Sequence, residues 1–125
     1  MSILARSLAW LLAAAVTFAT LGPPGLRPHS DLGQDSEHAL AFILVGLAFG
    51  LAYRNRRWTV AAVAVVLIGL LELMQFGAPG RHPRLEDFLV DAGTACIGFA
   101  LATVADWILT RFRANSALTN QGPAE

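Results

Sequence analysis

Seven side chains have the types and spacing to do chemistry: Asp35, His38, Glu72, Gln75, Arg81, Asp87 and Asp91. Asp35 precedes His38 by three residues, so a carboxylate can orient an imidazole at the start of a helix. Glu72 and Gln75, also three apart, share one helical face; Asp87 and Asp91, four apart, share another. Arg81 stands between the two pairs. Its guanidinium can bind carboxylate or phosphate bidentately, as a counter-ion for Glu72 or a clamp for an anionic headgroup. Glu72 and Gln75 fall inside an apolar run, where an ionisable group is costly and marks a site with a partner nearby. Structural roles compete with these: Asp35 as an N-cap, Glu72 as a hydrogen-bonded lock between helices, Gln75 as a strut. Asp87 could serve only as a helix-dipole partner, worth about 0.3–1 kcal/mol.

The elements that must position these residues are read from composition. The chain has 125 residues, enough for one domain, and is 55% hydrophobic and 14% charged. Its net charge is zero, with nine Arg and no Lys, so no nucleic-acid footprint is present. Long apolar runs alternate with short polar patches, the pattern of a polytopic membrane protein. The lone Cys96 excludes an intrachain disulfide and reads as a small buried filler.

Four apolar runs cover residues 7–21, 39–53, 58–76 and 85–110. The first, behind Arg6, ends in LGPPG with no small-x-small cleavage site after it. It reads as a retained helix in preference to a cleaved signal. Residues 22–34, with three Pro and three Gly, read as an irregular loop. The second run alone is ~22 Å, short of the ~30 Å hydrocarbon core. Starting it at Ser36 lengthens it, places His38 at the membrane boundary and makes Asp35 or Ser36 the N-cap. Gly46 and Gly50 form a GxxxG, which permits close helix approach. The third run, ~28 Å, suits a crossing and is stopped by Pro79 and Gly80. Pro83, Glu86 and Asp87 suit the start of the fourth, and Arg111 and Arg113 close it. Residues 114–125 read as a disordered polar tail.

The expected fold is therefore all-α: an integral membrane bundle of four transmembrane helices over residues 1–113, in the cell membrane. Arg6, Arg54, Arg56, Arg57, Arg111 and Arg113 fall on one side; only Arg27, Arg81 and Arg84 fall on the other. This asymmetry makes both termini cytoplasmic. Trp10, Tyr53, Trp58 and Trp107 come out at the same cytoplasmic interface. Loss of the first run as a signal would leave three passes and the same facing for the rest. The seven polar positions then collect at the outer headgroup level, Glu72 about 7 Å short of the outer end of its helix.

The order Asp35-Ser36-Glu37-His38, then Glu72-Leu73-Met74-Gln75, then Pro79-Gly80-Arg81 and Asp87 resembles the VanZ-like family over residues 35–98. That family is named for a protein linked to resistance to the glycopeptide teicoplanin. Its pattern continues with Asn and then small residues; here Asp91, Thr94 and Gly98 occupy those positions. The resemblance implies a small helical bundle in the cell membrane, with no settled biochemical activity.

Three functions are compatible with these residues. The first is recognition or handling of a cell-envelope or lipid-linked molecule, affecting glycopeptide sensitivity; an acidic cleft with one Arg suits a ligand carrying amine and phosphate or carboxylate. The second is an intramembrane enzyme, with Glu72 and His38 as acid and base and Arg81 stabilising negative charge. No G-x-S-x-G, activated thiol or H-E-x-x-H accompanies it, so no catalytic residue is assigned. The third is a small proton-coupled exporter that homo-oligomerises to make its pathway. No cofactor is called for. A hard cation on His38, Glu72, Asp87 and Asp91 is chemically conceivable, but no metal is assigned. Membrane lipids are the expected surroundings, and a lipid-linked envelope precursor or a glycopeptide the expected ligand.

Overall fold

A computed structural model describes residues 3–22, 34–75 and 84–119, with the backbone alone at 34, 35 and 117–119. Its elements are α1 (Ile3–Leu21), α2 (Gln34–Ala52), a 3-10 turn (Arg54–Arg56), α3 (Arg57–Met74) and α4 (Leu85–Thr119). No strand occurs among the described residues. Three segments are long and apolar enough to cross a membrane: Ile3–Leu21, Arg54–Met74 and Leu85–Ser116. The apolar part of α2, Ser36–Ala52, is shorter, because polar residues occupy the helix's first turns.

Two boundaries differ from the sequence reading. α2 begins at Gln34, so Asp35 and Ser36 lie inside its first turn and neither is the N-cap. α4 continues through residues 114–119, which the sequence reading assigned to a disordered tail. Ala, Ser and Leu add little resistance once a long helix precedes them, and Ser116 turns its hydroxyl back onto the Phe112 carbonyl at 3.0 Å. Residues 120–125 and the Pro79, Gly80 and Pro83 signals lie outside the described residues.

α2 is the hub: it touches the other three helices, and α4 most extensively. The α2–α4 contact is backbone on backbone. A Cβ added to Gly46 would strike the Ala95 carbonyl; one added to Gly98 would strike the Ile43 carbonyl and lie 2.6 Å from the Leu47 nitrogen. Such closeness is available only to glycine. Thr94, standing where the resembled pattern has glycine, avoids the contact by donating to its own helix at Val90 O (2.8 Å) and Asp91 O (3.1 Å). The two helices run parallel in a steady register. Gly46 meets Gly98, Gly50 meets Ala102, and Arg54 meets Asp106, each pair 52 residues apart.

Two apolar layers lie along this axis. Ala9, Phe49, Ala52 and Phe99 form one. Phe42, Ile68 and Ala95 form the other, with Val16, Leu71 and Phe88 packed on it. The outer faces carry exposed Leu11, Phe18, Leu67, Leu70, Leu101 and Val104, a surface suited to lipid. Cys96 belongs to this outer face: it is exposed, and the reading of it as a buried filler is corrected. An apolar helix in hydrocarbon carries similar residues on both faces, so its sequence does not reveal which one turns inward.

The end of the bundle near Ala9 is closed by arginine. Arg54 Nε donates to Asp106 at 2.8 Å and its terminal nitrogen to the second carboxylate oxygen. Arg57 reaches the same carboxylate at 3.3 Å and donates from Nε to the Gly50 carbonyl at 2.9 Å, capping α2. Asp106 thus pairs with nearby arginines. Trp10 donates to the Tyr53 hydroxyl at 3.1 Å, with the Arg6 guanidinium 5.2 Å from the Tyr53 ring centre. Trp10, Tyr53, Trp58 and Trp107 therefore share this end with the arginines.

Gly46→Val should lower stability by at least about 2 kcal/mol, since the intruding group meets backbone that cannot rotate away. Gly93 has nothing within 4 Å of an added Cβ, so Gly93→Ala should be neutral or stabilising, by up to about 1 kcal/mol. Thermal unfolding in detergent measures both; equal effects would rule out the close contact.

Candidate functional site

The site is built one helical turn beyond the Phe42–Ile68–Ala95 layer, at the end away from Asp106. His38 lies four residues before Phe42, Glu72 four after Ile68, and Asp91 four before Ala95. Residues four apart share a helix face, so each polar residue stands over an apolar one. The directions agree, because α2 and α4 run down from this end and α3 runs up to it. The His38 ring stacks against Phe42, centroids 6.2 Å apart and planes inclined by 29°. His38 is half-buried, whereas Glu72, Gln75 and Asp91 are each only 7% exposed.

Glu72 does not face lipid. Gln75 Nε2 donates to its Oε2 at 2.6 Å, and the peptide N–H of Arg84 donates to its Oε1 at 3.0 Å. The Arg84 carbonyl in turn accepts from Phe88 N–H at 3.2 Å, opening α4. One carboxylate therefore ties the end of α3 to the start of α4. Both of these hydrogen bonds come from neutral groups, so they satisfy lone pairs without themselves supplying an opposing charge. Asp91 lies within electrostatic reach of both Glu72 and Asp87. The ion pairs of Arg54 and Arg57 with Asp106 are at the opposite end.

The structure thus brings together His38, Glu72, Gln75 and Asp91 from three helices. Asp87 is exposed at the rim, one turn above Asp91. The backbone of Asp35 falls level with Asp87 by the 52-residue register; its side chain, and all of Arg81, lie outside the described residues. Among the described residues, no three His, Cys, Asp or Glu side chains come close enough to hold a metal ion.

Two features toward this end were not legible in the sequence. Arg84 reads as a solvated loop charge, and its side chain is exposed, yet its backbone N–H engages Glu72. Residue type carries no signal for a backbone role. Thr20, on α1, lies four residues after Val16, which packs on the Phe42 layer. It is only 1% exposed and its Oγ1 has no hydrogen-bond partner. A threonine in an apolar helix is ordinary, so only its isolation marks it.

No family model matches this chain, and no curated protein or solved structure does either.

Glu72→Ala should remove an acceptor from the Gln75 amide and the Arg84 N–H together, costing about 1–3 kcal/mol. Amide exchange at Arg84 should accelerate in Glu72→Ala but stay close to wild type in Glu72→Gln, which keeps an acceptor oxygen. Unchanged protection in both variants would show that the carboxylate does not hold the start of α4.

Proposed function

We propose that this chain is a VanZ-like, four-pass protein of the cell membrane whose outward-facing polar layer recognises a cell-envelope or lipid-linked molecule, with an effect on glycopeptide sensitivity. The observation that carries this reading is the buried Glu72 carboxylate, held between α3 and α4 with Asp91 beside it and fixed by neutral donors. A buried carboxylate oriented by neutral donors is suited to meet a ligand's positive group. The arginines gathered with Trp10 and Tyr53 support placing the opposite end, and both termini, in the cytoplasm. A proton-coupled export route is less well supported. The described interior acids sit at one end, and the acid at the other end, Asp106, is committed to two arginines.

Glu72→Gln, His38→Ala and Asp87→Asn, made singly in the membrane-inserted protein, are expected to shift tolerance to a glycopeptide. Glu72→Gln should have the largest effect, about tenfold if it removes the equivalent of 1.4 kcal/mol of recognition. Loss of tolerance to lipophilic cations alone would favour export instead, and silence of all three would make the cluster structural. Cysteines placed at Arg56 and Arg81 in a Cys96→Ala background should label from opposite faces of the membrane. Labelling from one face would overturn the four-pass orientation.

A further inference from the structure

The hydrogen bonds of Glu72 hold α3 against the start of α4 at the acid end. Toward the arginine end the same two helices leave a groove of about 100 Å³ between them. Arg57, Trp58 and Ala61 line it from α3, and Cys96, Ala100 and Thr103 from α4, with the buried Phe99 as its floor. Alanine and cysteine are short, so the walls stand apart where longer side chains would close them. The groove opens outward, since Cys96 and Ala100 are exposed. α3 runs up from Arg57 while α4 runs down to Thr103. Arg57, Trp58 and Thr103 therefore mark the mouth, and Cys96 lies ~10 Å along α4 from Thr103.

The walls and the mouth differ in chemistry. Thr103 donates its hydroxyl to the Phe99 carbonyl at 2.9 Å, so even the polar residue of the α4 wall turns its donor onto its own helix. An apolar hollow facing hydrocarbon forfeits dispersion contacts unless a chain fills it. The mouth is basic. Arg54 and Arg57 share the single carboxylate of Asp106, and Arg56 is exposed beside them with no ion pair among the described residues. No acid stands in the first turn of α3 and no side chain caps its start, so the positive end of that helix adds to the field. Trp58 is 87% exposed at the same level, the place of an aromatic ring at the headgroup boundary. Basic pockets between membrane helices at that depth suit anionic headgroups.

We propose that this groove binds an anionic phospholipid of the leaflet at the arginine end. One acyl chain lies along Ala61, Ala100 and Cys96, and the phosphate meets the guanidiniums of Arg56 and Arg57 at the mouth. A guanidinium matches phosphate bidentately, and Arg57 is held at the groove by its bonds to Asp106 and the Gly50 carbonyl. A zwitterionic lipid carries its own cation next to the phosphate, so the arginine cluster discriminates against it. This site is separate from the acid layer and shares none of its residues, so it stands or falls independently of the recognition reading above.

The test uses the full chain in dodecyl maltoside. Phosphatidylglycerol and phosphatidylcholine with identical acyl chains are titrated in, and bound lipid is counted by native mass spectrometry. Wild type should retain phosphatidylglycerol about tenfold better, the scale of basic side chains facing a charged headgroup. Arg56→Gln breaks no ion pair among the described residues. It should cut the preference about fivefold and leave the Tm without added lipid unchanged. Ala100→Phe fills the groove without altering charge, and should lower retention of phosphatidylglycerol. Leu101→Phe, at an exposed position outside the groove, should retain it as wild type does. Equal retention of the two lipids by wild type, or an unchanged preference in Arg56→Gln, overturns the anionic assignment. Ala100→Phe behaving like Leu101→Phe overturns the groove, leaving the lipid in the general shell around the arginine end. Dimers of lipid-free wild type that vanish in Ala100→Phe would overturn it in favour of a second copy of the chain.

Discussion

The approach of α2 to α4 governs the rest of the bundle. Between helices in hydrocarbon there is no water to expel, so association depends on van der Waals contact and hydrogen bonds, and small residues let backbones touch. Gly46 and Gly98 provide that contact from opposite sides, each occupying space that a Cβ would take. A contact this close tolerates no slip. Moving one helix by a residue would rotate its facing side by about 100° and drive a side chain into backbone. The same register that seats Gly98 on Ile43 therefore brings Arg54 to Asp106 and sets His38 at the level of Asp91. The ionic lock and the polar layer are two consequences of one packing choice.

The two ends of the bundle treat charge in opposite ways. At the arginine end opposite charges meet. Asp106 receives two guanidiniums, Arg57 also caps the Gly50 carbonyl, and Trp10 bonds Tyr53. At the acid end Glu72 takes neutral hydrogen bonds from Gln75 and the Arg84 backbone while another carboxylate, Asp91, lies nearby. Neutral donors orient a carboxylate; they do not cancel it. Structural economy explains the first end completely and the second only in part.

Much of this was legible in the sequence, and the reasons are specific. Glu72 and Gln75 stand out because an amide and an acid in an apolar run have few innocent explanations. Asp106 and the Arg54–Arg57 cluster are conspicuous for the same reason, and Gly46 and Gly50 advertise close packing through their spacing. Cys96, Thr20 and Arg84 were misread or missed for three different causes. The side of α4 that carries Cys96 cannot be told by hydrophobicity when both faces are apolar. Thr20 matters through a bond it does not make, and absence of a partner has no sequence signature. Arg84 acts through its peptide N–H, which every residue except proline possesses. The start of α2 and the continuation of α4 differ by a turn or so from the sequence reading, as helix ends commonly do.

The departures from full pairing lie toward the acid end. Toward this end Thr20 Oγ1 is unbonded, and Asp91 lies within electrostatic reach of Glu72 and Asp87. Random imperfection would scatter orphaned donors and acceptors through the protein. Among the described residues, Thr20 Oγ1 is the one fully buried side-chain atom left without a partner, and it falls level with the acids. Valine would fit the same space on the same helix face without the penalty, and it already occupies the position one turn below, at Val16. Natural proteins break local rules chiefly where function requires it.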